Sequence, residues 1–123
     1  MTTLEQSLSE IPAFSIIHEH LFSSAQPSIE QLKLIKEYGC STVINLALSN
    51  SPDSIKNEDQ VCLEYGLNYI HIPIDWETPS SDQCLLVLDL IDHLVQNEIV
   101  WLHCAKNKRV SCLMYVYRQF YMN

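Results

Sequence analysis

A cysteine and an arginine separated by four residues stand in the tract His103-Cys104-Ala105-Lys106-Asn107-Lys108-Arg109-Val110-Ser111. Thiolate sulfur is a strong nucleophile, and a guanidinium presents a planar fork of donors that can hold two oxygens of one oxyanion. Together they suggest attack by Cys104 on an anion gripped by Arg109. Lys106 and Lys108 add to the positive field, so three of the seven basic residues fall within four positions of a chain whose formal net charge is −8. A solvated face would not collect them in this way.

Such chemistry needs elements that hold the two groups in place. The run Ile99-Val100-Trp101-Leu102 is short, β-branched and aromatic, and predicts a buried parallel strand with Cys104 at its carboxyl end. Beyond the loop, Val110, Leu113, Met114, Tyr117 and Tyr121 recur at helical spacing. The helix N-terminus would then point at Cys104, offering unpaired N–H groups and the positive end of the dipole to an anion. A thiol in that setting is thiolate at neutral pH more readily than a free one. The loop contains no glycine, and Asn107 is the residue in it that best tolerates a left-handed backbone. Ser111 is placed either to donate its hydroxyl to the thiolate or to face solvent in the first helical turn.

These residues resemble the phosphate-binding loop of cysteine-dependent phosphatases of the dual-specificity and tyrosine class, in which His-Cys opens the loop and Arg followed by Ser or Thr closes it. More narrowly, Ala25-Gln26-Pro27-Ser28, Val43-Ile44-Asn45-Leu46, Ile72-Pro73-Ile74-Asp75 and the His103–Ser111 tract resemble a small bacterial phosphatase-like family, over residues 14 to 120. The resemblance implies an α/β fold of three layers, a mainly parallel sheet flanked by helices, of the dual-specificity-like phosphatase type. It also implies hydrolysis of a phosphate monoester, on a protein or a small molecule, through a phosphocysteine and without a cofactor. His103 would fix the loop, and Ala105, Lys106, Asn107, Lys108 and Ser111 would line it. The usual loop has five residues between Cys and Arg. Here there are four, a spacing shared with the bacterial family and also with rhodanese-type sulfurtransferases, where the cysteine carries a persulfide. A phosphate-binding domain without catalysis would need only the loop and Arg109.

Phosphoryl transfer also requires an acid to protonate the leaving oxygen. Asp75 follows the apolar run Tyr69-Ile70-His71-Ile72-Pro73-Ile74, 29 residues before Cys104, a place similar to that of the general acid in dual-specificity phosphatases. In a parallel sheet the loops after the strands gather on one edge, so the two would meet there. Glu77 is the rival acid, and Trp76 between them anchors the loop.

Length and composition predict one domain over residues 1–123, burying somewhat under about 70% of its unfolded surface. The first residues lack the basic and apolar regions of a signal peptide, and no apolar stretch reaches membrane length, which predicts a cytoplasmic protein without membrane contact. Acidity argues against nucleic acid as a partner. Cys40, Cys62, Cys84, Cys104 and Cys112 form neither a disulfide framework nor a zinc pattern, and the four outside the loop read as core residues.

The remaining pattern predicts strands at 14–17, 42–46, 68–74 and 99–103, an extended segment at 21–25, and helices at 28–38, 57–65, 80–96 and 109–121, with residues 47–56 irregular. Ser28 with Gln31, Asn57 with Gln60 and Ser80 with Gln83 predict capping boxes, and Gly39 and Gly66 predict helix ends. Cys84, Val87, Leu88, Ile91, Leu94 and Val95 form a stripe that should lie on the sheet. His18 and His20 alternate on a strand, as strand-end polar residues do, and lack the further ligands a metal site requires. On the last helix Cys112, Tyr115 and Val116 extend the apolar surface nearly all round, so either the fold encloses it or a second copy covers it, as a homodimer.

Overall fold

Five strands, β1 (Ser15–His18), β2 (Leu21–Ser24), β3 (Thr42–Asn45), β4 (Asn68–His71) and β5 (Val100–His103), form one sheet in the order β1-β2-β5-β3-β4. The structure is a computed structural model that describes residues 3–75, 77–106 and 108–122. All neighbours pair in parallel except β1 with β2, which are antiparallel. β5 therefore lies at the centre, and all four of its residues are buried. That burial on both faces is why its sequence is an apolar run with no alternation.

Five helices, α1 (Thr3–Ser9), α2 (Ile29–Tyr38), α3 (Glu58–Glu64), α4 (Ser81–Leu94) and α5 (Lys108–Tyr121), cover the two faces. Trp101 joins Phe22, Val43, Leu8, Leu32, Ile35 and Cys62 on the α1, α2 and α3 side. Leu102 and Cys104 join Ile44, Val87, Ile91, Val110 and Met114 on the α4 and α5 side. Side chains alternate along a strand, so His103 points with Trp101 toward α3. The chain leaves β2 for α2 on one face and leaves β5 for α5 on the other. Adjacent parallel strands whose connections diverge in this way open a crevice beyond their carboxyl ends.

The expected elements are present, with boundaries shifted by a few residues. Past β4 the chain still follows its neighbour, as the N–H groups of Ile72 and Ile74 donate to Asn45 and Leu46 carbonyls (3.0 and 3.1 Å). Helix α1 was not expected; its signal is limited to Leu4 and Leu8, too short a pattern to register, and burial of Leu8 beside Ile11 holds it in place. Ser28 and Gln31 make the full capping box. Ser80 caps Gln83 N–H, but the Gln83 amide donates to Pro73 O instead (2.7 Å). Asn57 makes no cap at all and takes a left-handed backbone, φ 61°. Gly39 ends α2 in the left-handed region at φ 117°, its N–H bonded to Ile35 and Lys36 carbonyls.

Of the cysteines expected in the core, Cys40 and Cys62 are buried, Cys84 is half-buried and Cys112 is exposed. The outer side of α5 is open, with Tyr115 and Phe120 exposed, so the fold does not enclose that helix. His18 ends β1 and His20 lies in the turn after it, and both make long-range hydrogen bonds: His18 with the Tyr117 hydroxyl (3.1 Å) and His20 with the Val95 carbonyl (2.9 Å).

Burial pushes the Cys40 thiol up to about 12 from 9.0. It does the same to Cys62, where the Glu58 and Asp59 carboxylates add to the effect. Raised values mean that these thiols stay neutral in the fold after they would have ionised in the unfolded chain. Their contribution is therefore intact below about pH 9 and is lost as pH rises toward 12. At about pH 11 Cys40 alone should lower stability by roughly 2 to 3 kcal/mol, enough to reduce the melting temperature by several degrees. Melts near neutral pH and at pH ~11 measure this directly, and Cys40→Ala should shrink the difference. Equal stability at the two pH values would refute the assignment.

Candidate active site

Cys104 follows β5 directly and is fully buried (0% exposed). Helix α5 begins four residues later at Lys108, one residue earlier than expected. Ala105 is half-buried, Lys106 and Lys108 are exposed, and Asn107 lies outside the described residues. Ser111 is exposed in the first turn of α5. The Arg109 side chain is half-buried, yet its Nε is fully buried and meets no acceptor among the described residues.

Among the described residues, the buried side-chain polar atoms without a partner are Gln26 Oε1, His103 Nδ1 and Arg109 Nε. All three belong to the loop or to residues bonded to it. Buried polar groups are nearly always satisfied, so a concentration of exceptions marks a place built for something other than stability. Arg109 Nε–H is a charged donor in a water-poor setting, which is what an oxyanion requires.

Two cavities flank the loop and share Ala105 and Lys106. One, of about 350 Å3, is lined by Leu48, Asn50, Ser51 and Pro52 from the segment after β3 together with Lys108 and Arg109. The irregular 47–56 segment therefore does fold against the loop. His71 Nε2 and the Ala47 carbonyl, 2.7 Å apart, pin its start. The other, of about 680 Å3, lies on the β2 side between Gln26, Pro27, Ser28 and Asp53. Both open at the carboxyl edge of the sheet, in the crevice the topology creates.

Asp75 stands on the same edge, two strands from β5, since residues 72–74 run beside Asn45 and Leu46 while Leu46 N–H donates to His103 O (2.8 Å). It is exposed. Its carboxylate accepts from Glu77 N–H (3.0 Å) and from the Thr78 hydroxyl (3.3 Å), so its own loop orients it. Glu77 is also exposed, and Trp76 lies outside the described residues.

Residues 19–112 match the family model described as "Polymorphic toxin system, DSP-PTPase phosphatase". The chain belongs to this family of dual-specificity-like phosphatases. A DUF442 phosphatase from Shewanella putrefaciens superposes with a TM-score of 0.85 at 30% identity, over 92% of this chain and 74% of the other. P. aeruginosa TpbA, solved in complex with pTyr, gives 0.71 at 16% identity over 85% of this chain and 61% of the other. The catalytic core of the S. cerevisiae PP-IP phosphatase Siw14 gives 0.71 at 19%, over 89% and 67%. The last two establish likeness of fold. No curated protein matches. Among the described residues, no helix is long and apolar enough to cross a membrane.

In this DSP-PTPase domain two residues that sequence reasoning passed over are bonded to the loop. Glu58, on α3, is 4% exposed and its Oε2 lies 2.6 Å from His103 Nε2. Gln26 donates its backbone N–H to Ala105 O (3.2 Å) and its side-chain amide to Glu58 Oε1 (2.9 Å). The available signals were weak. In the sequence Glu58 is an ordinary acidic residue of a first helical turn, and Gln26 stands out only within the Ala25–Ser28 resemblance.

Proposed function

We propose that this DSP-PTPase domain hydrolyses a phosphate monoester through a covalent phosphocysteine on Cys104. The Cys104 thiolate attacks phosphorus while the bond from phosphorus to the leaving oxygen breaks, and Asp75 delivers the proton that oxygen needs. Water then attacks the phosphocysteine, breaking the sulfur–phosphorus bond and releasing inorganic phosphate, with Asp75 now taking the water's proton. Arg109, Lys106, Lys108 and the amides of the loop hold the three equatorial oxygens, where charge gathers. Ser111 supplies a hydroxyl to the departing thiolate, and His103 fixes the loop's start.

The observation that carries this reading is the buried Arg109 Nε–H without an acceptor among the described residues, in the loop that begins at Cys104. It suits a phosphate group carried by a protein or by a small molecule: TpbA was solved with pTyr, and Siw14 is a PP-IP phosphatase. Five free thiols fit a reducing compartment such as the cytoplasm. The four-residue spacing keeps a sulfurtransferase reading in play, with a persulfide on Cys104 in a tighter cradle.

Inorganic phosphate should bind the wild-type protein with its oxygens on Arg109 and the loop amides, as crystals grown with phosphate would reveal. Arg109→Lys keeps the charge but loses the fork, and should weaken phosphate binding by about 10- to 100-fold in calorimetry. An Arg109 side chain turned into a salt bridge elsewhere, with no bound anion, would remove the basis of the proposal.

A further inference from the structure

Glu58 is a carboxylate that the core nearly encloses, 45 residues from His103 in sequence, hydrogen-bonded directly to one flank of Cys104 and linked to the other through Gln26. One oxygen meets His103 Nε2 at 2.6 Å, immediately before Cys104. The other accepts from Gln26 Nε2 at 2.9 Å, and the Gln26 backbone N–H holds Ala105 O at 3.2 Å, immediately after Cys104. Gln26 Nε2 also donates to Pro27 O (3.0 Å), which ties the arrangement to the start of α2. A single side chain therefore joins the segment after β2, the start of α3 and both sides of the nucleophile.

The local backbone is bent to make this contact. Asn57, the residue before Glu58, has φ 61° and ψ 40° and makes no side-chain cap, although Asn is a favoured cap residue. Asn tolerates the left-handed region better than other non-glycine residues, so Asn57 can hold this turn at little cost. Here the turn begins α3 with Glu58 inward rather than toward solvent.

The pair also fixes a proton. An ionised carboxylate only accepts hydrogen bonds, so with Glu58 ionised His103 Nε2 would carry the hydrogen in this contact. The His103 Nδ1 is buried and has no partner among the described residues.

We infer that Glu58 is a positioning residue, which sets the catalytic loop around Cys104 by clamping His103 and Gln26. The inference rests on Cys104 being the nucleophile and does not require that the substrate be a phosphate. Three variants test it: Glu58→Gln, which keeps the shape and removes the charge, His103→Asn, and the two combined. With 4-nitrophenyl phosphate, Glu58→Gln should lower kcat by about 10- to 100-fold with little change in KM, as loss of an outer partner of an active residue does. Alkylation of Cys104 by iodoacetate, read by peptide mass analysis on the folded protein, should slow in step. The double variant should be no slower than His103→Asn alone, because both changes break one link.

Wild-type alkylation rates in folded Glu58→Gln would overturn the inference, and so would additive losses in the double variant. Should Glu58→Gln not fold, nitrogen-15 NMR of the histidines in the wild-type protein decides. A hydrogen on His103 Nε2 supports the clamp, and its absence overturns it. If the wild-type protein leaves the phosphate ester untouched, the phosphatase proposal fails, while alkylation and NMR still judge the role of Glu58.

Discussion

Replacing Cys104 by serine is expected to abolish turnover of every phosphate ester while leaving phosphate binding nearly intact. Serine is barely ionised at neutral pH, and the His103 ring is held by Glu58 on the α3 side of the sheet, away from the face on which Cys104 packs, so the loss should exceed roughly 10,000-fold, the scale on which removal of a covalent nucleophile acts. Binding should survive because the Arg109 fork and the loop amides remain. Serine is no larger than cysteine, so the change adds no volume to a position packed among Ile44, Val87 and Val110, and thermal melting checks that the fold survives the buried hydroxyl. The same variant, assayed with thiosulfate and cyanide, distinguishes the chemistries. If wild type transfers sulfur to cyanide faster than it releases phosphate from an aryl ester, and Cys104→Ser stops that transfer, the protein is a sulfurtransferase. A Cys104→Ser variant that hydrolyses phosphate esters at the wild-type rate would show that the nucleophile lies elsewhere.

The parts of this molecule that were legible in its sequence are those governed by local rules. β5 was readable because a strand buried on both faces must be apolar throughout, and α5 because its buried face returns at helical spacing. The Cys104 loop was readable because its chemistry is carried by residue types close together along the chain. Glu58 was not, because its importance arises from a contact across 45 residues that depends on β5 turning His103 toward α3. Nothing in the sequence around Glu58 separates a buried carboxylate from the many solvated ones in an acidic chain. The missing cap at Asn57 has the same origin: a tertiary contact overrode a local preference. Cys112 was misread because the apolar stripe of α5 is wider than the surface available to cover it, so burial stops at Val110, Leu113, Met114 and Tyr117.

The acid is the more discriminating test, and Asp75→Asn is a clean one. Asparagine keeps a side-chain oxygen that can accept from Glu77 N–H, so the turn that Asp75 organises should persist while the transferable proton is lost. A phenyl or alkyl phosphate leaves as a poor anion and needs that proton at the transition state. Its hydrolysis should fall by about 100- to 10,000-fold. 4-Nitrophenyl phosphate, whose leaving group is stable as an anion, should be slowed far less. The diagnostic quantity is thus the ratio between substrates rather than either rate alone, because loop disorder would slow both equally. Thr78→Val removes one of the two bonds that orient the carboxyl and should show the same substrate dependence at smaller amplitude. If instead Glu77→Gln produces the leaving-group dependence and Asp75→Asn does not, the proton comes from Glu77. If neither variant changes any rate, the leaving oxygen departs without help from this loop. Asp75 would then be only the turn residue that its two hydrogen bonds already make it.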